Sequence, residues 1–341
     1  IEISLSRLPE NIDGIASLLR QAGYRTYGIA ANAHISPELG FDNGFDQYAY
    51  LKAGTVLDVE RKLNNWAPKM LASPAPTFLY LHLNDVHGPY ERHAPWYKES
   101  RDPLEDAMSA YDSGVSYLDE QLRRIAKSLD WTDNTLIIFA SDHGEEFREH
   151  GQLHHRGGLH QELTRILLMI GGPGIERKRI SADVSLVDVL PTTLELLEID
   201  VVPNRDGTSL APLLRNKKTQ EELSGRILFA HRLEKAKRFG TETWAAVRGR
   251  WKLIDGINGI QLFDLENDFF EQKEVTNDKP EALGALQAAL VDHQLQRRDI
   301  TEDTKVTVSI DAETRRHLQE LGYVTEENVQ PGNATPNETS E

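Results

Sequence analysis

Four short apolar runs, each closed by turn residues, constrain this chain more than any other feature. They are RTYGIAA (25–31), PTFLYLHL (76–83), NTLIIFAS (134–141) and TRILLMIGG (164–172). Runs of this length with little polar alternation read as strands buried on both faces, the habit of a parallel sheet. Helical periodicity fills the intervals. NIDGIASLLRQAG (11–23) sets Ile12, Ile15, Leu18 and Leu19 on one face and stops at Gly23, while EDAMSAYDSGVSYLDEQLRRIAKSL (105–129) is a long amphipathic helix. VSLVDVLPTTLELLEI (184–199) is a third, with an interruption expected at Pro191. Strands alternating with helices predict an α/β fold with a mostly parallel sheet flanked by helices.

The pattern changes near residue 216. GRILFAHRL, ETWAAVRG, RWKLIDG and IQLFDLEND are short, closely spaced strands with turn pairs at Asp255-Gly256 and Asn258-Gly259, which predicts a small antiparallel meander. KPEALGALQAALVDHQLQRR (279–298) is expected to pack on it as a helix, with Pro280 in its first turn. The expected division is an α/β core over 1–215, an antiparallel subdomain over 216–325 and a polar, disordered tail over 326–341.

Composition removes several classes of function. With 38 basic against 54 acidic residues, the formal charge of −16 disfavours nucleic-acid partners. The absence of cysteine excludes disulfides, thiolate metal sites and a cysteine nucleophile within these residues. No apolar run reaches the ~18 residues that span a bilayer, and the compartment and oligomeric state stay open.

In an open α/β sheet, ligands bind beyond the carboxyl ends of the strands, so the polar residues there carry the functional reading. The run at 134–141 delivers Asp142 and His143 just before Gly144. Past a strand end the alternation of side chains lapses, and one carboxylate and one imidazole can converge on a single cation. Mixed oxygen and nitrogen ligation suits Mn²⁺, Ca²⁺ or Mg²⁺, or zinc. In the run LHLNDVHGPY (81–90), His82 reads as a packing residue, whereas His87 lies past the strand end, placed to donate to an anionic oxygen or a leaving group. Asp85 either orients His87 or closes an Asx-turn. A third cluster, EHGQLHHRGGLHQELTR (149–165), holds four of the chain's 12 histidines. Each alone reads as solvated, yet the loop directly follows the Asp-His strand.

Taken in order, FLYLHLNDVHGPY, TLIIFASDHGEEFREHG, LHQELTRILLMIGGPG, SLVDVLPTTLELL, DGTSLAPLL and WKLIDG…QLFDLENDFFEQKEV resemble the successive motifs of the sulfatase family, within the alkaline phosphatase superfamily. The resemblance runs from Leu8 to about Tyr323. It implies an alkaline-phosphatase-like fold, with a mostly parallel sheet flanked by helices and a smaller C-terminal antiparallel sheet plus helix. It further implies hydrolysis of a sulfate ester, small or glycan, with one divalent cation, Ca²⁺ foremost and Mn²⁺ or Mg²⁺ as alternatives. Asp142 and His143 take the place of the family's second pair of metal ligands. His87 matches its sulfate-contacting histidine. His155 matches the Lys or His that precedes its LYxExxR motif, with His154 and Arg156 as rivals one residue away, and Arg165 matches that motif's structural arginine.

The departures are informative too. The family's first two metal-ligating aspartates and its Cys/Ser nucleophile, which matures to formylglycine, have no counterpart here, and the resemblance implies that they precede Ile1. ISLSRLPE (3–10) does not substitute, because Ser4 and Ser6 lack the Pro-Ser-Arg that should follow. The family's GKWHxG is also absent, with Asn32 near its lysine and His34 a weak match for its histidine, which puts sulfate-monoester specificity in question. A phosphodiesterase or phosphonate monoester hydrolase, or a non-catalytic relative of the same fold, are the rival readings.

Overall fold

A computed structural model describes residues 2–9, 12–131, 134–155, 158–200, 206–232, 242–298, 305–309, 312 and 316. The expected tail at 326–341 and the candidate Arg156 lie outside them. The chain divides into two compact units, Ile1–Trp131 with Thr301–Glu341, and Thr132–Ile300. The architecture is α/β with a parallel sheet and a separate antiparallel sheet plus helix.

In the first unit, strand β1 (Glu2–Ser6) is followed by helix α1 (Ile15–Gln21), β2 (Arg25–Ala30), β3 (Gln47–Tyr50), α2 (Val56–Leu71), β4 (Thr77–His82) and α3 (Pro103–Ser128). The parallel sheet runs β3-β2-β4, with Ile29 opposite Leu81 and Ala49. β3 is a strand that periodicity did not predict, since QYAY is too short to alternate visibly. Val56, Val59, Leu63, Ala67 and Met70 recur three or four residues apart along α2 and are buried. They pack on Tyr27 and Ile29 of β2 and on Ile125 and Leu129, which forms the core of this unit. Thr55 and Asp58 close α2's start as a capping box.

In the second unit come β5 (Ile137–Ala140), β6 (Glu146–Phe147), β7 (Leu153–His154), α4 (Gln161–Thr164), β8 (Leu168–Gly171), α5 (Val189–Leu196), α6 (Ala211–Leu214), β9 (Leu228–Arg232), β10 (Thr243–Arg248), β11 (Trp251–Gly256), β12 (Gly259–Asp264) and α7 (Pro280–Arg298). The last strand of the chain, β13 (Lys305–Ser309), belongs to the first unit and pairs antiparallel with β1, placing Ser4 opposite Thr307.

Three expectations change. β5 and β8 pair antiparallel, with Ile138 opposite Ile170, rather than parallel. A parallel return needs a crossover of a dozen or more residues, usually a helix. Among its described residues, the link between these strands holds only the β6–β7 hairpin, paired Glu146 to His154 and Phe147 to Leu153, and the four-residue α4. The strands are also less buried than their composition predicts: β2 is buried from Thr26 onward, whereas β4, β5 and β8 are half-exposed or exposed along their length. Pro191 does not interrupt a helix, because α5 begins only at Val189 and the proline falls in its first turn.

The meander forms as predicted, in the order β12-β11-β10-β9 with α7 against it. Alternation gives the sheet two faces. Trp244, Ala246, Leu253 and Leu262 meet Leu286 and Leu290 of α7, while Ala245, Ile254 and Phe263 on the other face meet Leu159 of the histidine-rich loop. Among the described residues no helix is long and apolar enough to cross a membrane.

Candidate active site

The carboxyl end of β5 leads into Ser141, Asp142, His143 and Gly144. The backbone of this turn is docked onto α4, with the Gly144 amide donating to the Leu163 carbonyl at 2.9 Å. A β-carbon on Gly144 would lie 2.0 Å from the Glu162 carbonyl oxygen. Glycine is required there by close approach to α4, not by a positive φ, and that contact fixes where the Asp-His pair stands.

His143 Nδ1 is 2.8 Å from the Gly144 carbonyl oxygen. A carbonyl only accepts, so Nδ1 carries the proton in this bond and Nε2 is left as the acceptor or ligand atom. Nε2 faces Asp142 Oδ2 at 3.7 Å, with the Asp142 side chain 76% exposed. Asp142 Oδ1 accepts the His143 amide at 3.0 Å. A carboxylate oxygen and an imidazole lone pair thus face one another within the span that one cation bridges. The backbone carbonyl behind the ring supplies the outer-shell bond that metal-ligating histidines make. These two residues fit a hard or borderline divalent cation.

His155 leaves the far end of the β6–β7 hairpin and packs beside His143, with ring centroids 4.4 Å apart and planes tilted 38°. Its Nδ1 lies 3.3 Å from Glu145 Oε1, a carboxylate almost wholly withdrawn from solvent. Asp142, His143, Glu145 and His155 are therefore one cluster at the strand end. His154, the rival position, sits in β7 at φ +65° and pairs in register with Glu146. Arg165 stacks its guanidinium over Phe269, 4.6 Å from the ring centroid, a packing role.

His87 lies in the first unit, in a turn where its amide donates to the Asn84 carbonyl at 3.1 Å. Its Nδ1 is 2.6 Å from the Gly88 carbonyl oxygen, the same local bond that His143 makes. Asp85, left open between two roles, accepts the Val56 amide at 2.9 Å and so caps α2. Burial pushes its carboxyl upward. Asn32 likewise acts locally, accepting the His34 amide at 2.9 Å.

A second cluster escaped the sequence reading. His150 Nδ1 is 2.7 Å from Glu162 Oε1, and its Nε2 is 3.1 Å from the Glu271 backbone carbonyl. Both partners accept, so the two contacts together favour the doubly protonated imidazolium. Burial alone would push His150 down, but the bonds to Glu162 and Glu271 outweigh it and raise its pKa. His160 stacks on this ring at 3.6 Å and 6°. Burial first, then the charges of His150 and Lys252, lower His160 to about 3, and it stays neutral. Below it, Lys252 Nζ lies 2.8 Å from Glu271 Oε1, both side chains 0% exposed, and donates to Thr164 Oγ1 at 3.2 Å. Burial favours the neutral form of each partner, lowering the lysine and raising the glutamate, while their mutual attraction opposes it. Glu271 also accepts the Gln161 amide and holds φ at +53°, a conformation that persists only when neighbours enforce it. The legible signal was a lysine inside the apolar strand RWKLIDG, on the same face as Ile254.

His150, His160 and Glu162 offer ligand atoms within 4.8 Å of one another. Imidazole lone pairs lie in the ring plane, however, and two parallel rings 3.6 Å apart cannot aim theirs at one ion. In the observed geometry this group is an ion pair with a stacked neutral ring.

Comparison with known proteins follows the same line. The family described as Sulfatase matches residues 2–199, more than half of the chain. Arylsulfatase K of Gallus gallus is 34% identical over 182 residues, covering 50% of this chain and 34% of that protein. Choline-sulfatase of Rhizobium meliloti (strain 1021) is 35% identical over 170 residues, covering 48% and 31%. The chain spans about a third of the length of these curated relatives. The crystal structure of a phosphonate monoester hydrolase of Agrobacterium radiobacter superposes with a TM-score of 0.67 at 17% identity, covering 89% of this chain and 86% of that one, a likeness of fold.

Proposed function

The chain belongs to the sulfatase family, and from that premise we propose that it supplies the cation-binding and leaving-group side of a sulfuric ester hydrolase. The observation that carries this reading is the cluster at the end of β5, where the Asp142 carboxylate and His143 Nε2 face each other beside His155. Asp142 and His143 would hold one divalent cation, with Ca²⁺ first and Mn²⁺ or Mg²⁺ as alternatives. When bound, such a cation stabilises negative charge on the ester oxygens. The chain's own contribution is to hold and move protons around that charge. Glu145 keeps His155 in one tautomer, and a histidine so held can donate to an anionic ester oxygen or to the departing alcohol. The resemblance to the family assigns substrate contact to His87, which stands after β4, and to Arg156, which stands beside His155 in the sequence. The substrate class is a sulfate ester, small molecule or glycan. Formylglycine is the nucleophile this reading calls for, and no residue of this chain is assigned to it.

The test is calorimetric titration with Ca²⁺ and Mn²⁺ of the wild type and of Asp142→Ala. Heat that saturates in the wild type and vanishes in the variant supports the assignment. Identical heats in both would refute it. Sulfate against methylphosphonate, added to the Ca²⁺-loaded chain and followed by the His155 ring signals, separates this reading from a phosphonate hydrolase.

A further inference from the structure

We propose that His150 is a positioning residue that pins the histidine-bearing hairpin to the antiparallel sheet and thereby sets the Glu145–His155 pair. This rests on the functional reading of His155 above and extends it to residues that touch no substrate. The hairpin β6–β7 has two ends. At its open end Glu145 enters and His155 leaves, 3.3 Å from each other. At its closed end the turn is held by the Arg148 amide donating to the Gln152 carbonyl at 2.8 Å, with His150 at the tip. Inside, the fully buried Glu146 accepts the amides of His150 at 3.2 Å and Gln152 at 2.8 Å through one oxygen, while its other oxygen has no hydrogen-bond partner among the described residues.

A two-residue pairing cannot hold such a hairpin alone. The main outside fastening is His150, beside a longer bond of 3.5 Å from the Gln272 side-chain nitrogen to the Glu149 carbonyl. One nitrogen donates to Glu162 on α4, the helix against which Gly144 is docked, and the other to the carbonyl of Glu271, which follows β12. Glu271 is in turn fixed by Lys252 on β11 and by the Gln161 amide. The groups around the His150 ring are thus the Glu162 carboxylate, the Glu271 carbonyl, the stacked neutral His160 and the Gln272 side-chain nitrogen at 3.4 Å. One ring ties three elements together: the hairpin tip, α4 beneath the Asp-His turn, and the antiparallel sheet. A single imidazolium does this because it alone among side chains offers two opposed donors on a short rigid frame.

The experiment uses the full chain, with nitrogen-15 NMR of the histidine rings and amide hydrogen exchange, in the wild type, Glu162→Gln and His150→Gln. The wild type should show both His150 nitrogens protonated at pH 7. In both variants the His155 ring signals should move, and amide exchange at His150 and Gln152 should quicken by about tenfold or more. Global stability falling while His155 stays unmoved would overturn the proposal, since a merely structural contact predicts that result. Added Zn²⁺ that shifts His150 and His160 at equimolar ratio would also overturn it, by making the cluster a metal site. Calorimetric Ca²⁺ binding is read separately through Asp142→Ala, so the functional reading and the pin can fail independently.

Discussion

Two histidine pairs lie within 18 residues of each other, and they are built to opposite ends. His143 and His155 are tilted at 38° beside a carboxylate that is 76% exposed, and His143 keeps one nitrogen aimed at it. His150 and His160 are stacked at 6°, with both nitrogens of His150 spent on fixed acceptors. Residue type does not separate them, nor does neighbourhood in the chain. What separates them is which acceptor lies behind each ring. A backbone carbonyl behind one nitrogen leaves the other for chemistry, whereas acceptors on both sides turn the ring into a cationic strut.

That contrast predicts a graded series of effects. The largest should come from below the strut. Lys252→Met leaves Glu271 buried and unpaired, and urea unfolding should register a loss of ~3–5 kcal/mol, typical of breaking one side of a buried pair. Adding Glu271→Leu should recover part of it, and a double variant weaker than the single would break the argument. Next, His150→Ala removes two bonds to a charged donor and should cost ~2–3 kcal/mol. Gly144→Ala should cost ~1–3 kcal/mol through overpacking, with the Asp-His turn displaced from α4.

The pH dependence sharpens the contrast because the two stacked rings have opposite signs. His160 is lowered from 6.5 to about 3, so between those values the unfolded chain binds a proton that the folded chain refuses. Stability should therefore fall as pH drops from 6.5 toward 3. His150 is raised, so its contribution is complete below its ordinary 6.5 and is lost as pH rises through its elevated folded value. His160→Phe keeps an aromatic ring in the stack and should flatten the acid-side slope of the urea midpoint; an unchanged slope would assign it to other groups. The smallest effect on stability belongs to the exposed pair. Asp142→Ala should change unfolding by less than ~0.5 kcal/mol while abolishing cation binding.

Much of this was readable from the chain. The α/β alternation, the meander with a tight turn that includes Asn258, the long α3 and the helix opening at Pro280 all come from local periodicity and turn chemistry. Asp142 and His143 stood out because an apolar strand runs directly into them, and His155 through the resemblance to the sulfatase motif. The direction of β8 was not readable, since an apolar run of four to eight residues looks the same parallel or antiparallel. What fills its connection to β5 decides, and the hairpin inside that connection is too short to announce itself.

The sequence by itself determined which segments become strands and helices and which residue types gather at the end of β5, because periodicity and turn formation depend on side chains a few positions apart. The tertiary structure alone decided what each histidine is for. His150 meets Glu162 twelve residues on and Glu271 more than a hundred residues on. Lys252 is paired in burial with the carboxylate of Glu271. Such partners are set by where distant strands return, and no local pattern encodes that.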